Sequence, residues 1–231
     1  MTAEQNRRAP EVASSVDVVD EFKAAIDDEP GAGVARAGSF EVLVEEVRSC
    51  SACAVMLPLG PRPIFQASRT ATLLIASQAP GTRGHASGIP FSDASGDRLR
   101  EWTGLSNEEF YDAARVAILP TGLCYPGRAK NGGDAPPRPE CAPLWRDRLL
   151  AGMPMVRLTL LVGTYAQTNV LGAGALSARV RDFRKYLPGY FPLPHPSWRS
   201  RIWTDRNPWF AAEVLPALRD AVRQALHRNC P

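Results

Sequence analysis

Three short, almost wholly apolar runs constrain the fold of this 231-residue chain more than any other feature. They span residues 71–77 (ATLLIAS), 115–123 (RVAILPTGL) and 157–163 (RLTLLVG). An apolar run without polar alternation is typical of a strand buried on both faces, as in a parallel sheet. A fourth, shorter strand is predicted within residues 190–197 (YFPLPHPS).

Segments with helical spacing of apolar residues separate these strands. Strands that alternate with helices predict a three-layer α/β/α fold with a mostly parallel central sheet of about four strands. Pro216 lies inside the last helical pattern, where a proline is tolerated as a kink or a boundary. The predicted helical segments are FEVLVEEVRSC, GDRLREWTGL, SNEEFYDA, CAPLWRDRLLAGM, TYAQTNVLG, ARVRDFRKYL and WFAAEVLPALRDAVRQALHR.

Composition bounds the domain organisation and the class of protein. Hydrophobic residues make up 45% of the chain, enough for one sizeable core. We expect a poorly ordered N-terminal extension over residues 1–37 and one domain over residues 38–228. The net charge of +3 permits a nucleic-acid partner without requiring one. No apolar run is long enough to span a bilayer and no secretory signal is evident, so we expect a cytoplasmic protein, a monomer by default.

Three loops are expected to meet at the carboxyl edge of the sheet, where parallel sheets bind their ligands. They span residues 77–97, 120–139 and 194–207. The first loop is rich in Gly and Pro, and its backbone N–H groups could hold a phosphate. It matches neither GxxxxGK[ST] nor GxGxxG, so the usual nucleotide-binding motifs are not present there.

Four cysteines suggest a metal centre. Cys50 and Cys53 stand in CSAC, Cys124 follows the second strand, and Cys141 opens the helix after the second loop. Four thiolates suit zinc or an iron–sulfur cluster equally well. Two alternatives are four unrelated buried thiols and a redox-active CxxC pair. Cys230, near the C-terminus, is predicted to be spare.

Aromatic residues and arginines alternate in LPHPSWRSRIWTDRNPWF. Such a pattern can stack on bases and pair with phosphates. We therefore expect functional roles for His195, Trp198, Arg199 and Arg201. The other aromatic residues of the segment are predicted to pack in the core: Trp203, Trp209 and Phe210.

Taken together, these segments resemble the uracil-DNA glycosylase superfamily, most closely its iron–sulfur branches, over about residues 40–226. The order of several modest motifs along one α/β chain carries the resemblance. The first motif is matched by Ser77, Gln78, Ala79, Pro80 and Gly81, and then by Gly88, Ile89, Pro90 and Phe91. The second is matched by His195, Pro196 and Ser197. The cluster ligands of those branches are matched in order by Cys50, Cys53, Cys124 and Cys141.

The resemblance implies a DNA-repair enzyme that hydrolyses the N-glycosidic bond of a flipped uracil. It implies that His195 donates to the leaving base and that a carboxylate orients the attacking water. Asp93 is our candidate for that carboxylate, with Asp97 as the residue that merely starts the helix. Gln78 stands where one branch has a Glu, so it can position water without acting as a base. The implied cofactor is a structural [4Fe–4S] cluster.

The resemblance also implies a base pocket and a DNA-binding segment. Pro120 stands where the family often has an Asn that reads uracil, which leaves uracil and a deaminated purine open as substrates. Trp198 or Ile202 could act as the wedge. An alternative interpretation is a catalytically inactive or altered-specificity nucleic-acid-binding protein on the same scaffold. The pocket residues are Ala79, Pro80, Gly81, Phe91 and Thr121, and the DNA-binding residues are Ser197, Trp198, Arg199 and Arg201.

Overall fold

The computed structural model describes residues 37–130 and 132–227. The predicted extension, apart from Ala37, and Cys230 lie outside these residues. The described chain contains a four-stranded sheet, all parallel, in the order β2-β1-β3-β4. The strands are β1 (Leu73–Ser77), β2 (Val116–Pro120), β3 (Leu158–Val162) and β4 (Tyr190–Leu193).

Helices connect all four strands. The α-helices are α1 (Ala37–Arg48), α2 (Thr82–Ser87), α3 (Ala94–Thr103), α4 (Asn107–Tyr111), α5 (Cys141–Ala151), α6 (Gly163–Leu171), α7 (Leu176–Arg181), α8 (Ser200–Arg206) and α9 (Leu215–His227). Short 3₁₀ turns cover Ala54–Met56 and Phe183–Tyr186, and a π-helical turn covers Phe210–Val214.

The sheet is covered on both faces because successive side chains of each strand point to opposite sides. Leu73 and Ile75 belong to a core that includes residues of α3 and α9. Leu74 belongs to a second core, with residues of α1 and α5. The predicted three-layer α/β/α fold with a parallel sheet is therefore confirmed.

Two helices lie in segments that the sequence pattern assigned to loops. They are α2, which follows the first motif, and α8, which follows His195. The prediction for Pro216 is confirmed, because the π-helical turn ends at Val214 and α9 begins at Leu215. A proline near a helix start loses little, since the first N–H groups of a helix have no partner within it. Phe210 is buried, Trp203 packs edge-on against both Phe210 and Trp209, and both tryptophans are partly buried against the same core, as expected.

Each outer strand of the sheet carries a proline that faces away from its neighbour. Gln66 and Ile118 exchange two backbone hydrogen bonds on the free side of β2, so alternate residues up to Pro120 face outward. On β4, the carbonyl of Gly189 accepts from Thr159 of β3, which turns Pro192 outward. A proline is tolerated at such positions because the missing N–H is not needed by the ladder.

None of the helices in the described part of the chain is long and apolar enough to cross a membrane.

Candidate active site

All four strands end at one edge of the sheet, because all are parallel. The segments that follow them therefore share this edge. They are the first-motif segment after β1, residues 121–140 after β2, Gly163 after β3 and the His195 segment after β4. The sequence predicted that the motif-bearing loops would lie at the carboxyl edge of the sheet, and in the structure each of them follows a strand that ends there.

His195 lies two residues beyond the end of β4 and packs against Gly163. Its imidazole is largely enclosed, and this burial lowers the pKa of His195, while the negative charge of Asp93 acts in the opposite direction. A Cβ added to Gly163 would lie 3.3 Å from Cβ and 3.5 Å from Cδ2 of His195. A glycine at this position therefore gives the imidazole its place.

Asp93 has a structural role that sequence reasoning missed. Its Oδ1 accepts hydrogen bonds from the backbone N–H groups of Ser95 and Gly96, both at 3.1 Å, and so caps α3. Asp97 is the acidic residue of the first turn, as expected for a residue at the helix start, and its exposed carboxylate lies 2.6 Å from Arg100. Asp93 also remains near enough to His195 to influence its pKa.

Gln78 and Thr121 are held by hydrogen bonds between the loops after β1 and β2. The Gln78 side-chain amide donates to the carbonyl of Ala135 at 3.1 Å. The Thr121 hydroxyl and its backbone N–H both donate to the carbonyl of Ser77 at 2.8 Å. The Thr121 hydroxyl proton is thus already used by the backbone. These contacts bring the two loops together over the end of β1.

Phe91 has a constrained backbone and a partly buried ring. Its φ of 55° is unusual for a residue with a side chain. The ring meets Phe110 edge-to-face with centroids 6.2 Å apart, and the Phe91 carbonyl accepts from the Tyr111 hydroxyl at 3.0 Å. Strained positions of this kind concentrate at functional sites. The stacking role of Phe91 stays a prediction.

Asp134 is a site residue that sequence reasoning missed. It lies in the loop after β2, and its Oδ2 is 3.4 Å from the position that a Cβ of Gly81 would take. Although the residue is exposed, nearby protein atoms partly desolvate the carboxyl group and raise its pKa. Asp93 raises this pKa further, while Arg128 and Arg199 lower it. The sequence did offer a signal for it, because Asp134 is an acidic residue in a Gly/Pro-rich loop predicted to lie at the carboxyl edge of the sheet.

The segment after His195 exposes one large aromatic ring. The side chain of Trp198 is 73% exposed, and the Arg199 guanidinium lies 5.5 Å from its ring centroid. Arg199 also donates to the carbonyl of Gly132 at 3.3 Å. The carbonyl of Ser197 accepts from Arg98 at 2.9 Å, a second contact that sequence reasoning missed. Arg201 and Ile202 are exposed as well, at the start of α8.

The four predicted ligand cysteines line one cavity on the flank of the sheet. Hydrogen-bond donors point at their sulfurs: Trp145 Nε1–H to Cys50 and the backbone N–H of Leu123 to Cys141, both at 3.3 Å, and the backbone N–H of Arg62 to Cys124. In the described residues, no group of three or more His, Cys, Asp or Glu is arranged to hold a single metal ion. The cavity is lined by Cys50, Cys53, Cys124, Cys141, Arg138, Trp145 and apolar neighbours.

Burial raises the pKa of Cys53 and Cys124, and it raises that of Cys141 to about 11. A nucleophilic redox thiol has a lowered pKa. The raised pKa of Cys53 therefore disfavours the interpretation of CSAC as a redox pair.

Comparison with known proteins gives a structural match and a family match. A solution NMR structure from Methanosarcina acetivorans, which carries a provisional uracil DNA glycosylase name, matches with 13% sequence identity and a TM-score of 0.41. The match covers 69% of this chain and 98% of that one. The model of the Uracil DNA glycosylase superfamily matches residues 65–219, more than half of the chain and nearly all of the sheet with its edge loops. The chain belongs to the uracil DNA glycosylase superfamily.

Proposed function

We propose that this protein is a DNA-repair glycosylase that hydrolyses the N-glycosidic bond of a flipped uracil, or of a related deaminated base, in DNA. The observation that carries the proposal is the placement of His195, after β4, and Asp93, after β1, at one edge of the sheet, where the charge of Asp93 acts on His195. Family membership supports a glycosylase-type hydrolase that acts on DNA. Flipping is required because the glycosidic bond is out of reach in stacked DNA.

His195 is assigned the role of stabilising the leaving base. Burial lowers the pKa of His195 and so favours the neutral imidazole, which has one N–H donor. In the proposed reaction the C1′–N1 bond breaks, and its electron pair goes to uracil, which leaves as an anion. The N–H of His195 donates to O2 of that base and stabilises the negative charge, as the donors of an oxyanion site do.

Asp93 is assigned to the attacking water. Its Oδ1 caps α3, while Oδ2 accepts no hydrogen bond from the described residues and is available to water. The carboxylate orients the water, takes its proton as the new bond to C1′ forms, and stabilises the positive charge of the sugar. Gln78 already donates its amide N–H to Ala135, so its carbonyl oxygen is left to position the same water.

We assign DNA binding to the segment Ser197–Arg201. The exposed ring of Trp198 offers a stacking surface or a wedge, and Ile202, 61% exposed, is the second candidate for the wedge. Arg199 and Arg201 are exposed and supply positive charge for phosphates. The pocket for the flipped base is assigned to Ala79–Gly81, Phe91 and Thr121.

We infer that Cys50, Cys53, Cys124 and Cys141 hold a [4Fe–4S] cluster. The four thiols line one cavity, and N–H donors point at the sulfurs of Cys50, Cys124 and Cys141, as they do around cluster thiolates. When bound, the cluster supplies a covalent link between the segments that carry the cysteines.

The test is base release from a single-stranded uracil oligonucleotide, detected as alkali-dependent cleavage on a denaturing gel. We expect cleavage by the wild type and a loss of about 10²- to 10⁴-fold in Asp93→Asn and in His195→Ala. Asn caps helices as well as Asp does, so Asp93→Asn removes the carboxylate while keeping α3. Asp97→Asn, in the first turn of the same helix, is the matched control and should remain active.

Intact uracil DNA after incubation with folded, iron-loaded wild type would contradict the proposal. One observation favours a second candidate, a nucleic-acid-binding protein with altered specificity or no activity. Pro120 has no side-chain donor or acceptor, and its ring nitrogen faces the outer edge of β2. This candidate predicts binding to DNA that weakens steeply with salt and releases no base.

A further inference from the structure

Three hydrogen bonds help to hold the loop that carries Asp134. Ala135 accepts from the Gln78 amide at 3.1 Å, and its N–H donates to Gly127 at 2.8 Å. Arg199 reaches Gly132 of the same loop at 3.3 Å. The loop therefore extends from the end of β2 toward the segment after β4. Its one acidic side chain among the described residues of 127–135 is that of Asp134, which lies against Gly81.

The Asp134 carboxyl group is free to accept a ligand. Within the described ranges, it has no hydrogen-bond donor and no cation within 4 Å. Arg128 and Arg199 act on it only from a distance. The residue is exposed and lies against Gly81, so a base bound over Gly81 would meet an acceptor that has no partner among the described residues.

The end of β2 and the residue after it offer no charged acceptor for the ring edge of the base. Pro120 ends the strand without a polar side chain, and the Thr121 hydroxyl donates its proton to Ser77. A glycosylase that distinguishes bases needs a group that hydrogen-bonds to the edge of the base ring, because aromatic stacking accepts every base. In the loop that follows β2, Asp134 lies against Gly81 of the first motif, and its carboxyl group has no hydrogen-bond partner among the described residues.

We propose that Asp134 recognises the flipped base by accepting a hydrogen bond from its ring N–H, and that it thereby separates uracil and hypoxanthine from cytosine and adenine, the bases whose deamination produces them. Thymine and guanine carry the same ring N–H beside a carbonyl, so their exclusion falls to other contacts of the pocket. Cytosine and adenine present an acceptor nitrogen at the same ring position, which a carboxyl oxygen repels. This inference rests on the proposed glycosylase function, and it gives that function a substrate class.

The competing role for Asp134 is activation of water, and the two roles differ in what an amide can do. The carbonyl oxygen of Asn accepts from a ring N–H, and its NH₂ can donate to the adjacent carbonyl. Asn cannot take a proton from water. Asp134→Asn should therefore preserve base recognition, whereas it should abolish water activation as thoroughly as Asp134→Ala does.

The experiment measures kcat/KM for base release from four matched oligonucleotides that contain uracil, hypoxanthine, cytosine or adenine. We expect the wild type to release the first two. Asp134→Ala should lower kcat/KM for both by about 10- to 100-fold, the cost of one lost base contact. Asp134→Asn should stay within about tenfold of the wild type. Asp147→Ala, an exposed acid on α5, is the control for loss of a negative charge.

Thermal unfolding and affinity for abasic DNA, which lacks the base, should be equal in the wild type and both Asp134 variants. Full activity of a folded Asp134→Ala, or equal loss in Asp134→Asn and Asp134→Ala, overturns the assignment and leaves the glycosylase function standing. If the wild type releases no base from any of the four oligonucleotides, the proposed function itself fails, and the assignment fails with it.

Discussion

Gly163 is the residue on which the place of His195 depends most directly. Its φ of +85° lies in a region that side chains rarely adopt, and any Cβ would meet Cβ and Cδ2 of His195. We expect Gly163→Ala to lower the free energy of unfolding by about 1–3 kcal/mol, the cost of such backbone strain. We also expect it to lower kcat for base release by up to about 10²-fold, because displacement of a catalytic group by about 1 Å has this effect.

Gly172 separates the two effects of that substitution. Its φ is +74°, but a Cβ there would meet no atom within 4 Å among the described residues. Gly172→Ala should therefore show a similar loss of stability in chemical denaturation, with unchanged base release. Equal loss of activity in the two variants would mean that strain, and not contact with His195, is responsible.

At the scale of elements, Arg62 connects the cysteine-lined cavity to the helix that follows the first motif. Its backbone N–H donates to Cys124, while its guanidinium donates to the last carbonyls of α2, those of His85 and Ala86. We expect Arg62→Ala to lower the opening free energy of α2 by about 1 kcal/mol, seen as faster amide exchange in residues 82–88, and to reduce base release. Iron content should be unchanged because the backbone N–H remains.

The control for that prediction is Arg83→Ala, which removes an exposed arginine from α2 itself. It should alter neither amide exchange nor base release. If Arg62→Ala and Arg83→Ala give the same exchange rates, the contact of Arg62 with the helix end has no stabilising role.

The four strands could be predicted from the sequence because burial on both faces requires continuous apolar runs, and each observed strand lies inside its predicted run. The six residues of α2 could not be predicted as a helix. Their sequence, TRGHAS, contains Gly, Ser and Thr, which are weak helix formers, and carbonyls at the end of the helix accept hydrogen bonds from the distant Arg62. Asp134 could not be distinguished from other loop acids. Its place depends on the distant contacts of its loop with Gln78 and Arg199.

At the scale of the whole molecule, the cysteines join three separate segments of the chain. Cys50 and Cys53 follow α1, Cys124 follows β2, and Cys141 begins α5. Anaerobically purified protein should contain about four iron atoms per chain. Cys141→Ser should reduce the iron content and lower the Tm by roughly 10 °C. Loss of a structural metal site lowers the free energy of unfolding by several kcal/mol, and each kcal/mol lowers the Tm of a chain of this size by about 2–4 °C.

Cys230→Ser makes the same chemical change at the cysteine that lies outside the described residues. It should keep the full iron content and the Tm of the wild type. Loss of iron in Cys230→Ser, or its retention in Cys141→Ser, would contradict the ligand assignment.

The outward prolines of the sheet have a consequence for the protein in a crowded solution. An unprotected strand edge offers a row of N–H and C=O groups on which a second chain can pair. Here the free side of β2 is already occupied by Gln66 and ends in Pro120, and the free side of β4 contains Pro192. Neither side can supply an uninterrupted row of donors, so the sheet resists growth by addition of strands from other copies and the fold is protected against aggregation through its edges.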